Sequence, residues 1–168
     1  MTAAPPVLSI VGASGSGKTT LIERLLPRLA ECGLRVATIK HAHHGFEPDV
    51  PGKDSWRHLE VGAHGTLLVG PAHMRLVRAT PPQASPASLA ARWFPDADLV
   101  LAEGFSSMPG AKIEVVRTGV GRRPCVDDGL VAVAADDPTM EAEAPVLDLN
   151  DAEAVAAFIR RWIKETRP

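Results

Sequence analysis

Val7-Leu8-Ser9-Ile10-Val11 runs straight into Gly12-Ala13-Ser14-Gly15-Ser16-Gly17-Lys18-Thr19, and the fold follows from this stretch. The first part is apolar and rich in β-branched residues, the composition of a buried strand. The second part matches the phosphate-loop pattern G-x-x-x-x-G-K-[ST] in full. From Lys18 onward, Thr19, Thr20, Leu21, Ile22, Leu25 and Leu26 recur with helical periodicity. Strand, glycine loop and helix in this order are the setting in which the loop cradles phosphate. Glycines let the backbone turn its N–H groups inward, and the helix N-terminus adds partial positive charge. The candidate phosphate site is therefore Gly12, Ala13, Ser14, Gly15, Ser16, Gly17, Lys18, Thr19 and Thr20. Lys18 is expected to reach the β- and γ-phosphates, and the Thr19 hydroxyl to ligate Mg²⁺.

With 168 residues, the chain is expected to form one nucleotide-binding domain over residues 1–168. Its formal net charge of −2 supplies no basic field for nucleic acid or an anionic membrane. Cys32 and Cys125 have neither metal nor redox spacing, and the first strand leaves no room for a basic-then-apolar leader. A reduced, cytoplasmic protein is the expectation. No apolar run approaches the ~20 residues that span a bilayer.

Further along, the pattern predicts a helix from Lys18 to about Cys32, kinked or broken at Pro27, with Gly33 following it. Arg35–Lys40 reads as a second strand, and the strand–helix–strand order implies a parallel pair. Residues 41–54 form a long polar loop, and loops of that length are usually functional. A short helix over Ser55–Val61 is followed by a hairpin, Thr66–Val69 and Arg75–Val77 around Gly70–His73. Ser85 caps a helix that starts at Pro86. Leu99–Ala102 and Leu130–Ala134 read as core strands. Lys112–Val116 alternates and reads as a sheet-edge strand, and Val146–Leu149 as a last short one. Asn150 or Asp151 caps a final helix to about Lys164, with Val155, Phe158, Ile159 and Trp162 on one face. The expected fold is α/β, a P-loop NTPase-like three-layer sandwich with a mostly parallel central sheet and a β-hairpin extension.

In such sheets ligands bind beyond the carboxyl ends of the strands. Those ends carry the phosphate loop, then Lys40, His41, His43 and His44, then Glu103, then Asp136. Glu103 follows an apolar run and fits a carboxylate that orients Mg²⁺ and attacking water; Asp98 sits at the wrong end of the same strand. The catalytic candidates are Glu103 and Lys18, and the metal candidates Thr19 and Glu103. Lys40, His41, His44, Asp49 and Asp136 are further ligand-binding candidates. The three histidines lack a fourth ligand at zinc spacing, so substrate contacts or a solvated loop fit them better. Arg117, Arg122 and Arg123 lie where a charge-neutralising arginine can come from, or form an exposed basic loop. The Asn-Lys-x-Asp guanine signature is absent, so the base is left open by the residues.

In order along the chain stand the glycine loop, Lys40-His41-Ala42-His43-His44, Asp49, Pro51-Gly52-Lys53-Asp54-Ser55, Glu103-Gly104-Phe105, Lys112-Ile113-Glu114-Val115 and Ala135-Asp136. From Val7 to Trp162 this resembles the MobB family, the molybdopterin-guanine dinucleotide biosynthesis adaptors. The resemblance implies a homodimer that binds GTP with Mg²⁺ and hydrolyses it weakly. It implies a role assisting a MobA-like guanylyltransferase among other molybdenum cofactor proteins, with molybdopterin or its guanine dinucleotide as a further ligand. The chain departs from the family pattern at Ser106, where members often carry lysine, and at Ala135, where they often carry serine. The hairpin and the strand near Lys112 are the expected places for a dimer to extend its sheet. Two other classes remain open at this point: a small-molecule kinase or generic NTPase, and a regulatory module with a vestigial loop, the last disfavoured by the intact Lys18 and Thr19.

Overall fold

The computed structural model describes residues 4–82, 84–120, 129–137 and 139–166. Arg122, Arg123 and Cys125, considered above, lie outside the described residues. The chain forms two compact units, one of residues 1–41 and 85–168, the other of residues 42–84.

The larger unit is built on parallel strands: β1 (Val7–Val11), β2 (Val36–Lys40), β5 (Leu99–Glu103), β6 (Lys112–Val116), β7 (Leu130–Ala135) and β8 (Val146–Asp148). They lie in the order β2-β5-β1-β6-β7-β8. Helices α1 (Lys18–Glu31) and α4 (Ala152–Thr166) pack on each other and bury Leu21, Leu25, Leu29, Val155 and Ile159. These side chains share one core with Leu8, Ile10, Leu101, Ile113 and Ala134, alternate residues that strands aim at a single face. Helix α3 (Pro86–Trp93) packs against β1. Its N-terminus is a reciprocal capping box: the Ser85 hydroxyl accepts from the Ser88 N–H at 3.1 Å, and the Ser88 hydroxyl accepts from the Ser85 N–H at 3.0 Å. Asp151 caps α4 by accepting from the Ala154 N–H at 2.9 Å.

Two sequence expectations are corrected. Helix α1 does not break at Pro27; it continues to Glu31 before Gly33 takes φ 80. A mid-helix proline costs ~3 kcal/mol. Burying Leu21, Ile22, Leu25 and Leu29 returns roughly 1.5–3 kcal/mol each, so packing wins. Second, Lys112–Val116 is no edge strand. It lies between β1 and β7, with Ile10 beside Ile113 and Glu114 beside Val133, and both Lys112 and Glu114 are buried. The edges belong to β2 and β8.

The smaller unit holds α2 (Asp54–Glu60) and an antiparallel hairpin of β3 (Gly65–Val69) and β4 (Met74–Arg78). The hairpin closes where the Gly70 N–H donates to the His73 carbonyl at 2.9 Å. Leu67 pairs with Leu76, and Val69 with Met74. By strand alternation all four share one face, and all four are exposed, Val69 and Met74 by more than two thirds.

Candidate functional site at the carboxyl ends of the strands

The turn out of β1 is made by glycines in left-handed conformations, and at Gly12 no side chain fits. Gly12 adopts φ 141, and a Cβ there would stand 2.4 Å from the Val115 carbonyl oxygen of β6. Gly15 and Gly17 take φ 78 and φ 100, and Gly17 leads into α1. Within this loop the Lys18 ammonium donates to the carbonyls of Gly12 at 3.0 Å and Ala13 at 2.7 Å. Burial pushes the Lys18 pKa down; Glu103 partly offsets this, and the nearby Lys40 adds to it. The Ser16 hydroxyl is buried with no hydrogen-bond partner among the described residues.

Register delivers the other groups. β2 and β5 run side by side with Lys40 directly beside Glu103, and β5 and β1 pair Glu103 with Ile10. Glu103 therefore emerges next to the glycine loop. Its Oε1 accepts from the Thr19 hydroxyl at 2.8 Å and lies 3.1 Å from the Lys40 ammonium. Thr19 and Glu103 place two hard oxygen ligands together, a donor set that fits Mg²⁺ with phosphate and water completing its shell. Asp98, at the other end of β5, is held by Arg35, whose Nε lies 3.0 Å from Oδ2.

Beyond Glu103 the backbone turns through two left-handed residues, Gly104 at φ 91 and Phe105 at φ 62. The turn seats Phe105 under His41, with ring centroids 4.8 Å apart, while the His41 N–H donates to the Glu103 carbonyl at 3.0 Å. A Cβ on Gly104 would press on the His41 Cβ at 3.2 Å. The φ > 0 at a bulky residue is a costly conformation, ~1–3 kcal/mol, and such costs gather at functional sites. Phe105 was missed by sequence reasoning as a site residue; the glycine before it was the available signal.

Asp136 follows β7. Its Oδ1 accepts from the Thr118 N–H at 2.8 Å and hydroxyl at 3.0 Å. The Thr118 N–H above all holds the Asp136 pKa below the usual carboxylate value. Lys18, Thr19, Lys40, His41 and Glu103 are thus gathered around the loop, and Asp136 stands two strands away.

His44 and Asp49 belong to the smaller unit. Asp49 is buried there; its Oδ1 accepts from the Val50 N–H at 2.7 Å and pairs with Arg75 of β4. The Ser55 hydroxyl is the largest influence lowering its pKa, ahead of Arg75. Asp49 ties the loop before α2 to the hairpin.

The parallel sheet, glycine loop and Thr19–Glu103 pair define a P-loop NTPase-like protein. The family model for molybdopterin guanine dinucleotide synthesis protein B, MobB, matches residues 7–136, and the chain belongs to that family. It is 39% identical over 160 residues to the molybdopterin-guanine dinucleotide biosynthesis adapter protein of Haemophilus influenzae, covering 94% of this chain and 89% of that one. It is 37% identical over 166 residues to the Escherichia coli adapter protein, covering 95% and 94%. A crystal structure of molybdopterin-guanine biosynthesis protein B superposes with a TM-score of 0.74 at 32% identity, covering 94% of this chain and 99% of that one. Among the described residues, no helix is long and apolar enough to cross a membrane.

Proposed function

We propose that this chain is a GTP-binding adaptor in molybdopterin guanine dinucleotide biosynthesis, acting in the cytoplasm and assisting a MobA-type guanylyltransferase. The observation that carries the nucleotide reading is the contact between Thr19 and Glu103 at 2.8 Å, at the mouth of the glycine loop. Thr19 and Glu103 would hold Mg²⁺, which when bound neutralises phosphate charge. Lys18, now on the carbonyls of Gly12 and Ala13, turns its ammonium to the phosphates. Asp136 supports guanine over adenine, because a carboxylate accepts from both N–H groups on the guanine edge.

Hydrolysis is slow on this account. Glu103 is the carboxylate placed to take a proton from water, yet the same oxygen serves Thr19 and Lys40. An oxygen already engaged by a hydroxyl and an ammonium is less free to approach an attacking water. The protein acts as a homodimer, supported by the exposed apolar face of Leu67, Val69, Met74 and Leu76 on the hairpin.

The test is calorimetric titration with magnesium–GTP and magnesium–ATP, alone and with a MobA-type enzyme carrying molybdopterin. Preference for GTP together with complex formation supports the adaptor. Equal binding of both nucleotides without a complex points to a kinase or generic NTPase.

A further inference from the structure

Arg117 is the first residue beyond β6, and β6 lies beside β1, so its side chain and the glycine loop share one end of the sheet. Its Nε donates to the Ser16 carbonyl at 3.3 Å. Its guanidinium lies over Gly17: a Cβ at Gly17 would stand 3.2 Å from Nη2 and 3.7 Å from Nε. Glycine at position 17 thus permits both the left-handed turn and the approach of the arginine.

The neighbours of Arg117 are fixed as well. The Thr118 N–H and hydroxyl both donate to Asp136, and the Asp136 N–H donates to the Val116 carbonyl at 3.3 Å. The arginine is bracketed on both sides by contacts to the exit of β7, so its position is set by the sheet and not by solvent.

A trans peptide points its C=O and N–H in opposite directions. An arginine that engages the Ser16 carbonyl therefore aims the Gly17 N–H away from itself. We infer that Arg117 is a positioning residue of the phosphate loop, holding the Ser16–Gly17 peptide so that its N–H faces the polyphosphate of a bound nucleotide. The inference rests on the nucleotide reading above. It explains why an arginine with a rigid fork stands here: lysine offers a point charge with no fixed geometry toward the carbonyl it would hold.

The experiment compares wild type with Arg117→Ala, Arg117→Gln and Arg117→Lys, titrated with magnesium–GTP by calorimetry and melted without nucleotide. A charge-assisted hydrogen bond of ordinary strength predicts at least about a tenfold weaker affinity for the alanine and glutamine variants. Lysine is expected to recover part of the loss, with melting temperatures little changed. A merely structural role would lower the melting temperature without this charge-dependent order of affinities. Should the alanine variant fail to fold, the glutamine variant carries the comparison. If alanine or glutamine variants bind as tightly as wild type, or if all three lose affinity only in step with stability, the inference is overturned while the nucleotide reading stands. If wild type binds no triphosphate, the nucleotide reading falls and takes this inference with it.

Discussion

Gly12→Ala is expected to be among the most damaging single-methyl additions in the chain. The new Cβ would stand 2.4 Å from the Val115 carbonyl oxygen, a distance real Cβ atoms essentially never show. β1 and β6 must then part by more than about half an ångström, and overpacking of that kind typically costs ~1–3 kcal/mol. The backbone adds its own cost, because φ 141 is foreign to alanine and such strain is ~1–3 kcal/mol. Together the penalty is about 2–6 kcal/mol, less ~0.4–1 kcal/mol regained because alanine restricts the unfolded chain. Gly15→Ala is the internal control. It has φ 78 but nothing within 4 Å of its Cβ, so only the αL cost of roughly 1–2 kcal/mol applies, largely cancelled by the same unfolded-state gain. For a chain of this size each kcal/mol moves the melting temperature ~2–4 °C. Thermal unfolding by circular dichroism should place Gly12→Ala roughly 2–22 °C below wild type and Gly15→Ala within a few degrees of it. Equal melting of the two variants would refute the close approach of the loop to β6.

Three further outcomes are expected. Glu103→Gln should leave magnesium–GTP binding largely intact and lower any hydrolysis at least about tenfold, read by single-turnover phosphate release; hydrolysis at the wild-type rate would assign the water to another residue. Asp136 has a folded pKa below its ordinary 3.8, so the stability it lends is present above that value and is lost as pH falls through the lower folded one. Urea melts of Asp136→Asn should therefore show a deficit at pH 6 that shrinks as pH falls below 3.8; a constant deficit would contradict the ionic origin. Leu67→Glu with Val69→Glu should convert a dimer to a folded monomer by light scattering, since both side chains are exposed in the single chain; an unchanged mass would remove the hairpin face from the interface.

How legible all this was in the sequence depends on range. The glycine loop, its strand and its helix are a contiguous signal, and the Ser85 cap and Asp151 cap are local hydrogen-bond chemistry. Glu103 was legible because an apolar run ended on a carboxylate. Lys112–Val116 misled because alternating charge normally marks a solvated face, whereas here both faces of β6 are covered. Pro27 misled because propensity is local and the buried face of α1 is not. The contacts of Arg117 with Ser16, of Thr118 with Asp136, and of His41 with Phe105 depend on which strands become neighbours. The order β2-β5-β1-β6-β7-β8 is not written in any local pattern. Asp49 is a similar case: its partner Arg75 comes from across a hairpin.

The central claim is that the glycine loop holds a nucleotide triphosphate through Lys18. Among the described residues, the Lys18 ammonium donates hydrogen bonds to the loop carbonyls of Gly12 and Ala13. The decisive measurement is calorimetric titration of wild type and Lys18→Ala with magnesium–GTP, each checked by thermal melting. Binding by wild type, abolished in a variant that melts at or near the wild-type temperature, is the predicted result. Equal binding by the two proteins, or none by either, would contradict the account.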